Sequence, residues 1–78
     1  MDRAILLQSL AQAEKHVALG EKHITRQESL IAELDRDGHD TNGARDVLAT
    51  LLQSQAIHLE SRARILRELS DLGPIQPS

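Results

Sequence analysis

The sequence contains no cysteine and no phenylalanine, tyrosine or tryptophan. Without cysteine the chain can form no disulfide bond and has no thiol nucleophile. Aromatic side chains are the largest contributors of buried area per residue, so the core has to be built from Leu, Ile, Val and Ala. Helices pack closely with aliphatic side chains alone, whereas sheets usually contain β-branched and aromatic runs. The composition therefore favours an all-α protein.

The chain is also short, with 78 residues, which is enough for one small domain. A single copy of this size is hard to stabilise without a disulfide, a metal or association with another chain. Because a disulfide is excluded, oligomerisation or a metal remains.

Charge of one sign is not concentrated anywhere in the sequence. The formal net charge is −3, and acidic and basic residues are mixed along the chain. A nucleic-acid partner would favour a basic face, and no apolar run is long enough to span a bilayer. The short run Ala4-Ile5-Leu6-Leu7 is interpreted as the first turn of a helix, not as a targeting segment. We therefore expect a cytoplasmic protein with no nucleic-acid partner and no membrane partner.

Turn residues are concentrated in one segment, residues 37–43. Gly38 can adopt the left-handed conformation that ends a helix. Asp40 or Thr41 can accept hydrogen bonds from the free N–H groups that begin the next helix. This segment divides the chain into two helices.

The outer ends of the two helices carry similar signals. Asp2 is suited to be the N-cap of the first helix, and Gly73-Pro74 ends the second before a short tail. The predicted single domain, residues 1–78, is a helical hairpin with a helix over about 3–36, a turn at 37–41, a helix over about 42–71 and a tail at 73–78.

Between these signals apolar residues recur every seven positions, as in helices packed along a long contact. Two helices joined by a short turn run antiparallel. Each apolar stripe is wider than a two-helix contact can cover, so we expect the hairpin to dimerise into a four-helix bundle. The predicted dimer core consists of Leu10, Val17, Ile24, Ile31, Leu34, Leu48, Leu51, Leu52, Leu59, Ile65, Leu66 and Leu69.

Gly20 is an unusual residue for the middle of a long helix. A mid-helix glycine costs about 1 kcal/mol relative to alanine, so a break into three helices is the alternative. The seven-residue columns pass through Gly20 without a shift in phase, and no proline or asparagine supports a turn there. The pattern therefore predicts one continuous first helix.

The stripes are apolar at both ends but polar in the middle. Folding the hairpin about residue 39 places Gly20 near His58, Gln27 near Leu51 and Leu52, and Ala13 near Ile65. The predicted polar layer consists of His16, Gly20, His23, Gln27, Gln55, His58 and Arg62.

One interpretation of this layer is structural, since a polar layer inside a bundle fixes register and oligomeric state. Gly20 opposite His58 would then give the imidazole room. A second interpretation is a metal site with His16, His23 and His58 as candidate ligands, because histidine is the commonest transition-metal ligand. However, His16 and His23 are separated by about 10 Å of helical rise. Such a site would need His58 between them or ligands from a second copy.

A third interpretation is phosphotransfer through an exposed histidine. Gly20 lies four residues after His16, as in histidine-containing phosphotransfer domains, but the expected lysine before the glycine is missing. His23 lacks the acidic residue and the usual proline of the histidine kinase motif. Serines occur without a recognisable base and acid, and no glycine-rich phosphate loop is present. We therefore expect no enzymatic activity and no cofactor.

The polar positions and the turn together form one extended pattern, made of His16, Gly20, His23, Ile24, Gln27, Leu34, Gly38, His39, Asp40, Ala44, Leu48, His58 and Arg62. This pattern, which covers roughly residues 16–66, resembles small helical proteins of rhizobia and related alphaproteobacteria. The resemblance implies a bacterial cytosolic protein and implies no activity.

Taken together, the sequence predicts a small interaction or regulatory protein that works as a homodimeric helical bundle. Its partner would be a second copy of itself or another protein. The alternatives are the histidine-mediated metal site and the phosphotransfer histidine.

Overall fold

The computed structural model describes residues 2–73, which form two α-helices packed against each other. Helix α1 spans Arg3–Arg36 and helix α2 spans Asn42–Asp71. No strand occurs within residues 2–73, so the all-α helical hairpin is confirmed. Helix α1 is continuous through Gly20, as predicted. Pro74 and the rest of the predicted tail lie outside the described residues.

Both ends of α1 are set by local hydrogen bonds. The side chain of Asp2, the N-cap, accepts a bond from the backbone N–H of Ala4 at 3.3 Å. At the other end Gly38 has a φ of +74°. The backbone N–H of His39 donates to the carbonyl of Leu34 at 2.9 Å, and that of Gly38 to the carbonyl of Asp35 at 3.2 Å. These two bonds form the Schellman motif, which satisfies carbonyls that the helix end leaves free.

The start of α2 divides the capping role between two neighbouring residues. The Asp40 carboxylate accepts a bond from the backbone N–H of Asn42 at 2.9 Å. Thr41 occupies the N-cap position, where its carbonyl accepts the backbone N–H of Arg45 at 2.9 Å. Asp40 therefore supplies the side-chain acceptor at this helix start.

The contact between α1 and α2, called the seam below, has its apolar core near the open end of the hairpin. Leu6, Ala13 and Ile65 form a buried cluster, against which Leu10 and Leu69 pack. The predicted proximity of Ala13 and Ile65 is therefore observed. Further along α1, Val17 and Ile31 are also buried in the seam.

The register of the hairpin differs from the one predicted by folding about residue 39. The atoms nearest to a Cβ on Gly20 belong to Gln55, although His58 lines the same groove, and the Gln27 amide bonds to the carbonyl of Ala44, seven residues before Leu51. The shift from His58 to Gln55 is three residues, or about 4.5 Å along the helix.

Both helix termini at the open end are joined by one hydrogen bond. The Arg3 guanidinium donates to the carbonyl of Gly73 at 2.6 Å. A cation at the carboxyl end of a helix is favourable, because free carbonyls give that end a partial negative charge. Arg3 therefore ties the start of α1 to the end of α2.

Candidate functional site

Gly20 and Gln55 form the centre of the predicted polar layer. Gln55 is a buried polar residue, with 7% of its surface exposed. Its side-chain amide N–H donates to the carbonyl of Val17 at 2.9 Å. A Cβ placed on Gly20 would overlap the Gln55 Oε1 atom and lie only 2.7 Å from Cδ. A side chain at position 20 would therefore have to displace the Gln55 amide, which fills that space.

The Oε1 atom of Gln55 is buried and has no hydrogen-bond partner among the described residues. A buried, unpaired acceptor costs about 1–3 kcal/mol, so Gln55 does not maximise stability. Only one alignment of the helices brings a glycine of α1 under this amide. Such polar residues fix register in helical bundles at a cost in stability.

Two of the three candidate histidines meet beside this pair. The ring centroids of His16 and His58 are 5.2 Å apart, with an angle of 54° between the ring planes. His16 is exposed and His58 is half-buried. Both line a shallow groove of about 330 Å³, whose other residues are Leu19, Gly20, His23, Leu51, Ser54 and Gln55.

His23 lines the same groove but is not part of the imidazole pair. It lies one heptad from His16 on α1, a rise of about 10 Å. Within residues 2–73 no group of three or more His, Cys, Asp or Glu side chains is placed to hold a metal ion. The structure therefore brings together two of the three predicted metal ligands, His16 and His58.

The last two members of the predicted layer lie apart from the groove. Gln27 is half-buried near the linker, where its amide donates to the carbonyl of Ala44 at 2.9 Å. This bond holds the first turn of α2 against α1. Arg62 is half-buried on α2, between His58 and Ile65 along the seam.

The predicted dimer core divides into two groups in the hairpin. Most of its members are buried or half-buried in the seam, but Leu52, Leu59 and Leu66 are 50%, 40% and 46% exposed. These leucines alternate with three alanines at intervals of three and four residues. The resulting surface, called the α2 stripe below, consists of Ala49, Leu52, Ala56, Leu59, Ala63 and Leu66.

The α2 stripe lies to one side of the seam. At 100° per residue, its centre lies about 100° around α2 from the seam. The sequence prediction included the leucines of this stripe but missed its alanines. The seven-residue spacing of these alanines could have indicated the stripe. This spacing becomes informative only when it is known that other positions of α2 contact α1.

Charged residues line the outer edge of the α2 stripe. The positions at seven-residue intervals along this edge are Asp46, Gln53, Glu60 and Arg67, three of which are charged. Arg67 and Glu60 form an exposed ion pair, with a nitrogen–oxygen distance of 3.4 Å. The stripe thus has a polar rim beside an apolar centre, as protein interfaces commonly have.

No protein-family model, no curated protein and no solved structure matches this chain. In the part of the chain that the structure describes, no helix combines the length and the apolar character needed to cross a membrane.

Proposed function

We propose that this protein is a small non-catalytic interaction protein that works as a homodimer through the α2 stripe. The observation that carries this proposal is the alignment of Leu52, Leu59 and Leu66 on one surface, each 40–50% exposed. Scattered exposed leucines are ordinary in a monomer, whereas a contiguous apolar surface marks an interaction site.

The energetics of the hairpin support association. The buried apolar residues of the described chain are only Leu6, Ala13, Val17, Ile31 and Ile65. A chain of this size without disulfides needs more buried apolar surface than that. Burying the exposed half of one stripe leucine contributes about 1 kcal/mol, and a dimer buries three from each copy.

The geometry of α2 supports a four-helix arrangement. In a square of four helices each helix contacts two neighbours at roughly a right angle. The seam and the α2 stripe are separated by about 100° around α2. One surface therefore suits α1 of the same chain, and the other suits a helix of a second copy.

Sedimentation equilibrium over a range of protein concentrations tests this proposal. We expect the mass of a dimer for the wild type and of a monomer for Leu59→Glu, because the new charge would be buried in the interface. Ile57→Glu is the matched control. Ile57 is 67% exposed on the same helix, outside the stripe, so this variant should remain dimeric. A wild type that stays monomeric at every concentration would overturn the proposal.

A divalent metal site at His16 and His58 is a second candidate function, favoured by the 5.2 Å separation of the two rings. Imidazole nitrogens bind Zn²⁺ and Cu²⁺, and water would complete the coordination.

Calorimetric titration with Zn²⁺ tests this metal site. His16→Gln and His58→Gln should each abolish binding, while His23→Gln, the matched control in the same groove, should leave it unchanged. Equal losses in all three variants, or no binding by the wild type, would exclude this site.

A further inference from the structure

We infer that two copies pair antiparallel through the α2 stripe, with the two-fold axis passing between Ile57 and His58. This inference rests on the proposed homodimer and specifies its orientation and register. Two independent features of the chain support it, namely the alternation of side-chain size and the charges on the edge of the stripe.

Side-chain size is the first feature. With the axis at this point, every alanine of the stripe meets a leucine of the other copy, in the pairs Ala49–Leu66, Leu52–Ala63 and Ala56–Leu59. Alternation of small and large residues across a contact lets the two surfaces interdigitate. The three pairs occur twice in the dimer, which gives six alanine–leucine contacts. Moving one copy along the other by seven residues keeps the alternation but leaves four of these contacts. A parallel pair in register would instead place leucine on leucine and alanine on alanine.

The charges on the outer edge of the stripe are the second feature. Equivalent edges meet in an antiparallel pair, so Asp46 of one copy lies beside Arg67 of the other, twice in each dimer. In the same arrangement Glu60 faces Gln53. In a parallel pair the two outer edges lie on opposite sides of the contact, so neither Asp46–Arg67 pair could form. Exposed ion pairs add little affinity, but these pairs are available in the antiparallel orientation only and so help to select it.

The apolar contact is specific to α2. In α2 each stripe leucine directly follows a seam residue. The corresponding positions in α1, which follow Ala13, Gly20 and Gln27, hold Glu14, Glu21 and Glu28. A second copy on this side of the hairpin would therefore meet leucines on α2 and glutamates at the corresponding positions of α1.

Cysteine crosslinking tests the orientation, and the cysteine-free chain allows single substitutions. We expect Ala56→Cys, beside the axis, to give a covalent dimer on mild oxidation. Ala49→Cys should give none, because in the antiparallel pair its two copies are about 25 Å apart, far beyond the reach of a disulfide. Crosslinking of both variants, or of Ala49→Cys alone, would overturn the inference.

Sedimentation of the same variants separates failure of the orientation from failure of the dimer. A dimeric Ala49→Cys that does not crosslink supports the antiparallel pair. A monomeric wild type would instead remove the proposed function on which the inference rests.

Charge reversal tests the register. We expect Asp46→Arg and Arg67→Asp each to raise the dimer dissociation constant about three- to tenfold, and the double variant to restore it, since both ion pairs are then re-formed with exchanged partners. Asp46→Arg is the cleaner single variant, because Arg67 also contacts Glu60 within its own helix. Singles that match the wild type would contradict the Asp46–Arg67 contact.

Discussion

Gly20 and Gln55 show how one pair of residues can select the alignment of a whole hairpin. The amide of Gln55 needs a helix surface without a Cβ, and Gly20 provides the only glycine in α1. Elsewhere in the seam aliphatic side chains would tolerate a sliding movement of one turn, because their contacts are not directional. The Gln55 amide also donates a hydrogen bond to the carbonyl of Val17. If α1 were displaced along α2, the amide would not find a carbonyl and a glycine side by side.

A double-mutant cycle tests this pair. In the wild type, Gly20→Ala should lower the free energy of unfolding by about 1–3 kcal/mol, because the new methyl group overpacks the Gln55 amide. In a Gln55→Ala background the same change should raise it by about 1 kcal/mol, since only the better helix propensity of alanine remains. Urea denaturation at one fixed protein concentration measures both effects. The same sign in both backgrounds would contradict the contact.

At the scale of elements, the helix boundaries could be predicted because their signals are local. Asp2, Gly38 and Asp40 act within a few residues of their own positions. The register could not be predicted in the same way. It depends on the path of the linker and on the fit of Gln55 to Gly20, and both are properties of the folded hairpin. The error of three residues moved Gly20 from His58 to Gln55.

Two glycines near the linker make a matched test of its geometry. Gly38 has a φ of +74°, whereas Gly43 lies within α2, and a Cβ added to either residue would meet no other atom within 4 Å. Gly38→Ala should therefore lower the free energy of unfolding by about 1–2 kcal/mol through backbone strain. Gly43→Ala should raise it by up to about 1 kcal/mol through helix propensity. Denaturant titrations that gave the two variants the same sign would contradict this assignment of the turn.

For the whole molecule, the candidate site was only partly predictable. His16, Gly20, Gln55 and His58 do lie together, as the polar centre of the stripes indicated. His23 lines the same groove, but it lies one heptad from His16 along α1, which is too far for both rings to bind at one site. The alanines of the α2 stripe were missed, since alanine is common in helices and its spacing is informative only beside a known seam.

Dimerisation should make thermal stability depend on protein concentration. A tenfold increase should raise the Tm of the wild type by about 3–5 °C, because mass action favours the associated native state. The Tm of Leu59→Glu should not change with concentration, and that of Ile57→Glu should follow the wild type. Circular dichroism melts over a hundredfold concentration range measure this dependence. A wild-type Tm that stays constant would indicate that folding does not require association.

The bond between Arg3 and the carbonyl of Gly73 has a consequence for anything attached to this chain. It brings both ends of the described region to one pole of the hairpin and leaves the linker alone at the other. In an antiparallel pair the two attachment poles would face in opposite directions, separated by about 45 Å, close to one helix length. The dimer would then hold two fused or bound proteins at a fixed separation.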